Sequence, residues 1–301
     1  MYIKQKGFTL IELLVVVAIL GLISGLVIVG YDGLISRSAR GTSANTLATL
    51  TQAIRSYEVL ERRLPDNLET LVHVSVAGGS TSFNTSRLDN EATAYGLTTQ
   101  PGLTALLHPE LAARLEIVQL TETQKNNLRM AGIDRLRYLD RRGEGEGGPL
   151  DLRAGDQSSA TVGPLELIEV PQFAFDTPEP GAGRNRGRGF ALRLSQTNDS
   201  FRPHLARWSP GVGGYENVRL GGQPDSTLVL LGIGRNSSLV AAQPGQTARL
   251  ETTPFLSDVG RHAYGHFLMV LDVDQRPARL VTLIDPRGET LAENAAGAQG
   301  M

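Results

Sequence analysis

A bilayer-length apolar run near the N-terminus limits what this chain can fold into more than any other feature. From Phe8 to Val29 the residues are apolar or small, and Glu12 carries the one charge. At 1.5 Å per residue, this run reaches about 33 Å as a helix, against a hydrocarbon thickness of about 30 Å. A helix inside a soluble core has no need of such length, so the run predicts a transmembrane segment over residues 8–30. Lys4 and Lys6 precede it, Asp32 is the first charge beyond it, and Arg37 and Arg40 follow. Lysines on the leading flank favour an N-terminus that stays in the cytoplasm.

An ordinary secretory signal places a small-residue cleavage site after a shorter apolar stretch, so that cutting removes the apolar part. Here the run is too long and no Ala-x-Ala pattern closes it. Instead, Gly7 stands immediately before Phe8, and a carboxylate sits inside the apolar helix. On insertion scales a mid-membrane carboxylate costs roughly 2.5–3.5 kcal/mol, which makes Glu12 a functional residue in want of a partner. Cleavage between Gly7 and Phe8 would supply one, because the new α-amino group lies one helical turn away, on the same chain or a neighbour. Alternatively, Glu12 sits shallow enough to reach headgroup water.

The segment Lys4-Gln5-Lys6-Gly7-Phe8-Thr9-Leu10-Ile11-Glu12-Leu13-Leu14-Val15-Val16 resembles the N-terminal signature of type IV pilins and type II secretion pseudopilins. The resemblance implies that a prepilin peptidase cuts after Gly7 and methylates the amine of Phe8, leaving Glu12 as the fifth residue of the mature chain. Glu12 would then neutralise the terminal amine of an adjacent subunit during filament assembly. The implied partners are the peptidase, other pilin or pseudopilin subunits, an inner-membrane assembly platform and the lipid bilayer. The implied location is the bacterial inner membrane, single-pass, with a cytoplasmic N-terminus and a periplasmic head. Many members place a proline where this chain has Val29. Gly21, Gly25 and Gly30 either permit similar local melting, at up to about 1 kcal/mol each relative to Ala, or serve close packing through Gly21-x-x-x-Gly25.

Past Tyr31 the pattern turns amphipathic, with Leu47, Leu50, Ile54 and Tyr57 at helical spacing. One helix is therefore expected over residues 8–63, ended by Pro65. By a looser likeness to the major pseudopilin, residues 57–72 would continue as a proline turn and a short helix. A Gly/Ser/Thr-rich loop is expected from Val74 to Thr85, then a helical block from Glu91 to Tyr138. Within that block Pro109-Glu110 reads as a first turn, and Thr121-Glu122-Thr123-Gln124 as a capping box. Periodicity breaks at Arg141–Gly148. From Pro164 onward the runs at Leu165/Leu167, Phe173/Phe175, Phe190/Leu192/Leu194, Leu228–Leu231, Phe267–Leu271 and Leu280–Ile284 read as strands of an antiparallel sheet. The last two are joined by a turn at Asp274–Pro277. The tail after Asp285-Pro286 lacks apolar content and reads as frayed. The expectation is an α+β chain: a leader at 1–7, the long helix at 8–63, a loop and helical part of the head at 64–148, and a β-rich part at 149–301.

Composition closes off most other chemistry. A formal net charge of −2 gives no electrostatic reason to expect nucleic acid. The absence of cysteine removes disulfides, thiolate metal sites and thiol nucleophiles. Lys4, Lys6 and Lys125 are the whole lysine inventory. Histidines 73, 108, 204, 262 and 266 are scattered, and His262-x-x-x-His266 lacks the glutamate of a metalloprotease helix. Asp272 and Asp274 alternate at a strand end and could face a Ca²⁺ ion together, but two carboxylates are too few and a solvated turn competes. The arginines of residues 178–189 read as an exposed linker, and Gly232-Ile233-Gly234 as a turn rather than a dinucleotide fingerprint. No catalytic residues and no cofactor are expected. The reading is a filament subunit, with a tip subunit or membrane-tethered binding module as one alternative and a membrane-anchored periplasmic enzyme as another.

Overall fold

The computed structural model describes residues 10–74, 102–103, 107–140, 165–169, 188–197, 202–234, 236–240, 249–256 and 264–300. Helix α1 runs unbroken from Leu10 to Glu61. Its 52 residues span about 78 Å at 1.5 Å per residue. It remains helical through Gly21, Gly25 and Gly30. Its outer half buries Ser43, Leu47, Leu50, Ile54 and Tyr57, an alternating four-and-three spacing that holds one stripe against the head. The helix stops where Arg62 takes a left-handed φ of 56° and the amide of Leu64 turns to the Ala131 carbonyl, 2.8 Å away. Among the described residues, no helix is long and apolar enough to cross a membrane.

The head combines short helices with a ten-stranded mixed sheet among the described residues, an α+β arrangement. In chain order its elements are β1 (Leu68–Val74), β2 (Gly102–Leu103), α2 (Pro109–Ala112), β3 (Leu115–Gln119), α3 (Glu122–Met130), β4 (Arg135–Asp140), β5 (Leu165–Glu169) and β6 (Arg188–Arg193). They continue with β7 (His204–Trp208), α4 (Tyr215–Leu220), β8 (Leu228–Gly232), β9 (Leu268–Asp272), β10 (Arg279–Ile284) and α5 (Leu291–Gln299). The main path of the sheet is β10-β9-β8-β1-β4-β6-β5, with β2 on β1, and β7 bridging β3 and β8. Strands β8 and β9 are buried along their whole length.

Several expectations need correcting. The short helix expected after Pro65 is strand β1, at the middle of the sheet: Leu68, Leu71 and Val72 are all buried, so both strand faces are covered. The sheet is not purely antiparallel, because β1 and β4 run parallel. The intervening chain carries the polypeptide back over α2 and α3 before β4 starts, which is the crossover a parallel pair needs. The block from Glu91 to Tyr138 is therefore only partly helical. Both helix starts expected in it are present: Pro109 is at the first turn of α2, and Thr121 and Gln124 form a reciprocal capping box on α3. Arg188 and Gly189, read as linker, are paired in β6. The loop at 75–85, the break at 141–148 and the run at Phe173/Phe175 lie outside the described residues. The tail is no frayed end. Residues 291–299 form α5, started by a capping box between Thr290 and Glu293.

Candidate functional site

Leu10, Ile11, Leu13 through Val17, Ile19 and Leu20 are 48–83% exposed, so the first turns of α1, from Leu10 to Leu20, present apolar side chains on every side. Each such side chain releases about 1.5–3 kcal/mol on full burial, and an all-round apolar helix reaches that energy only in lipid or against other apolar helices. Glu12 lies exposed in the first turn of this helix. A carboxylate there is favoured by the positive end of the helix dipole. Gly7 and Phe8 lie outside the described residues.

What the leading half is mounted on is well defined. Helix α5 lies along α1 at small residues: a methyl group built on Gly41 would stand 3.9 Å from the Ala298 Cβ, and one on Gly297 would run into the Arg40 side chain. Beneath this contact Asp285 is fully buried. Its carboxylate accepts four hydrogen bonds, from the Ser43 hydroxyl (3.1 Å), the Asn294 side-chain amide (3.2 Å) and the backbone amides of Arg287 (3.0 Å) and Glu289 (2.9 Å). Arg40 adds an ion pair to Glu289 at 3.1 Å. Burial pushes the Glu289 carboxyl above its ordinary range, and the Arg40 charge only partly opposes this. Farther out, Arg219 binds both Glu216 and Glu293 and, with Arg114, lies over the Trp208 ring. Glu293 is pulled up by burial but held below the usual carboxylate range by hydrogen bonds from Thr290 and Arg219.

A second buried polar group lies under the sheet centre. Glu69 of β1 faces Gly232 of β8 and accepts a hydrogen bond from the Tyr264 hydroxyl at 2.8 Å. Side chains are excluded at two adjoining positions: a Cβ on Gly232 would fall 1.6 Å from the Tyr264 oxygen, and one on Gly234 1.8 Å from Glu69 Oε1. Burial, and then the Glu69 charge, raises the Tyr264 hydroxyl well above its ordinary value of 10. Gly232-Ile233-Gly234 is thus a strand end that makes room for this pair. His266, buried between the edges of the Phe255 and Tyr264 rings, belongs to the same cluster, whereas His262 lies outside the described residues.

Asp272 and Asp274 hold protein donors. Asp272 is buried and accepts from Ser226 Oγ (2.7 Å) and the Asp274 amide (3.0 Å). Asp274 accepts from the Thr227 amide (2.6 Å) and Gln124 Nε2 (2.7 Å). These bonds tie the β9–β10 hairpin to β8 and α3. Among the described residues, no three His, Asp or Glu side chains come together as metal ligands. His108 also has a structural task, its Nδ1 accepting the Glu110 amide at the start of α2. The lock around Asp285 was not anticipated, although Thr290-Leu291-Ala292-Glu293 offers the same capping signal that marked α3.

Residues 3–28 match the family model of the prokaryotic N-terminal methylation motif. The match supports a type IV pilin-like chain. It covers fewer than a tenth of the 301 residues. The chain matches no curated protein and no solved structure. The pilin-like motif implies processing by prepilin peptidase and assembly with other pilin-like subunits, and it includes Gly7, Phe8 and Glu12.

Proposed function

We propose that this pilin-like chain is a structural subunit of a type II secretion pseudopilus or a related type IV pilus-like filament. It is held in the inner membrane by residues 8–30 with its head in the periplasm, cut after Gly7, methylated on Phe8, and polymerised through its N-terminal helix. The single observation that carries this is the methylation motif at residues 3–28, which overlaps a helix exposing apolar side chains on every side from Leu10 to Leu20. In an aqueous compartment that surface would be an aggregation liability, whereas bundled with copies of itself it becomes the driving force for assembly. Glu12 sets the axial register, because stacking protomers so that each carboxylate meets a neighbour's Phe8 amine brings two opposite charges together within an apolar surrounding. No catalytic group is assigned to the chain.

The test is intact-mass and N-terminal analysis of the protein from native membranes. Loss of the first seven residues and gain of one methyl group is the expected result, and an unprocessed chain inside polymer would overturn the reading. Gly7→Ala should block processing. Glu12→Ala should be processed nearly normally yet assemble poorly, and normal assembly of that variant would remove the register role.

A further inference from the structure

Two apolar patches stand exposed on the head, with opposite charges around them. The first is the tip formed by Val212, Tyr215 and Val218, at the turn entering α4, where Val212 is 97% exposed. Asp225 lies exposed beside it, on the segment whose Pro224 carbonyl is bound by Asn217 of α4. The second is at the far end of α1, where Val59 is 76% exposed and Leu60 and Met130 are exposed as well. Arg55, one turn before Val59 on the same helix face, is exposed, as are Arg62 and Arg129. Of the acidic residues at this end, Glu61 faces Arg249 and Glu58 offsets part of the Arg55 charge, so Arg62 and Arg129 keep the patch basic.

The patches also differ in height along α1. Helix α4 is tied through Arg219 to Glu293 on α5, and α5 lies against α1 beside Gly41. Leu60 is about 28 Å beyond Gly41 along the axis at 1.5 Å per residue, so α5 and the α4 it anchors lie nearer the leading half of α1 than the Leu60 end does. A patch that meets a different patch on the next copy, displaced along one axis, makes a heterologous contact, which does not close on itself and so propagates.

We propose that the tip at Val212, Tyr215 and Val218 docks onto the Val59, Leu60 and Met130 end of a second copy of this chain, with Asp225 facing Arg55 across the contact. The occupant is a second copy because the two surfaces complement each other in both apolar character and charge. The inference rests on the filament reading above and adds the head-to-head contact to it. Apolar side chains at the centre give the contact its affinity, and the rim charges choose the partner face and exclude tip-to-tip pairing, in which Asp225 would meet Asp225.

The chain contains no cysteine, so engineered cross-links are unambiguous. Full-length chains carrying Val212→Cys and Leu60→Cys are expressed together in bacterial membranes and oxidised. All substituted positions are exposed, where substitutions leave folding largely intact. A mixed disulfide dimer is expected at about tenfold or more above either variant alone, and Asp225→Arg should lower it about fivefold, with Arg55→Glu restoring it. Absence of the mixed dimer, a Val212→Cys dimer with itself, or a yield indifferent to Asp225→Arg would overturn the contact. If the unsubstituted chain is processed and polymerises while the mixed dimer is missing, the docking surface alone falls. If it does not polymerise, the filament reading falls with it.

Discussion

Replacing Asp285 by alanine tests whether the head is fastened to α1 by a buried polar lock or simply by apolar contact. The carboxylate has no exposure and serves four donors, two of them on side chains from distant elements, Ser43 on α1 and Asn294 on α5. Removing it strands the Ser43 hydroxyl, whereas the Asn294 amide keeps the Glu289 and Thr290 carbonyls as acceptors. A buried donor left without an acceptor costs about 1–3 kcal/mol. The Arg287 and Glu289 amides are in a loop that can open toward water, so the full penalty applies to Ser43 and a reduced one to Asn294 and the amides. The expected loss is about 2–4 kcal/mol, a large fraction of the roughly 5–15 kcal/mol that holds a typical domain together.

Denaturant unfolding of the full chain in detergent micelles measures this directly, followed by the fluorescence of Trp208. That is the chain's single tryptophan, and it is packed near Gly288 in the same region. Asp285→Asn should lose less, about 2 kcal/mol, because its oxygen still accepts while its amide nitrogen confronts donors. Ser43→Ala should cost about 1 kcal/mol in the native background and almost nothing once Asp285 is gone, as coupled partners do. A loss below about 1 kcal/mol for Asp285→Ala, or additivity of the two substitutions, would refute the lock.

Three further outcomes follow from other parts of the head. Tyr264→Phe should cost about 1–3 kcal/mol by leaving the buried Glu69 carboxylate without its donor. Because the folded-state value of Tyr264 lies above its ordinary value of 10, its contribution is complete below about pH 10 and is lost as pH rises through the folded value. Alkaline unfolding of the native chain should therefore steepen above pH 10, and Tyr264→Phe should flatten that limb. Gly232→Ala should exceed the cost of Tyr264→Phe in the same denaturant assay, since its methyl group would displace the tyrosine and crowd Glu69 together. Arg62→Gly should raise stability by about 0.5–1 kcal/mol, because a non-glycine residue at φ 56° carries backbone strain that glycine does not.

How much of this was legible in the sequence depends on the range of the interaction that decides each element. Local signals were read correctly: the stripe Leu47, Leu50, Ile54 and Tyr57, the capping box at Thr121, the proline start at Pro109 and the hairpin between β9 and β10 each depend on neighbours a few residues apart. The short helix expected in place of strand β1 rests on the loose likeness of residues 57–72 to the major pseudopilin, and what makes β1 a central strand is long-range: Tyr264, 195 residues later, supplies the hydrogen bond that makes burial of Glu69 tolerable. Parallel pairing of β1 with β4 is likewise settled by the path of the chain between them. Helix α5 was misread for a different reason. Its Ala and Gly residues carry little hydrophobic signal singly, and their value lies in letting two helix backbones approach, which no hydropathy scale records.

The same contrast separates the two halves of α1. The described apolar residues of its leading half, Leu10 to Leu20, follow no stripe and differ from a soluble helix by length and continuity alone. The outer half must match one particular head, and it does so with a narrow stripe and a polar anchor at Ser43, whose hydroxyl has to meet a carboxylate 242 residues away. Because α1 is continuous between the two, a displacement along the helix axis at the leading half is carried to the head without a hinge among the helical residues. Any axial force on the leading half is consequently borne by the α1–α5 contact and by Asp285. The polar lock suits that position, because hydrogen bonds of defined length resist sliding along an axis, whereas an apolar stripe alone would permit it.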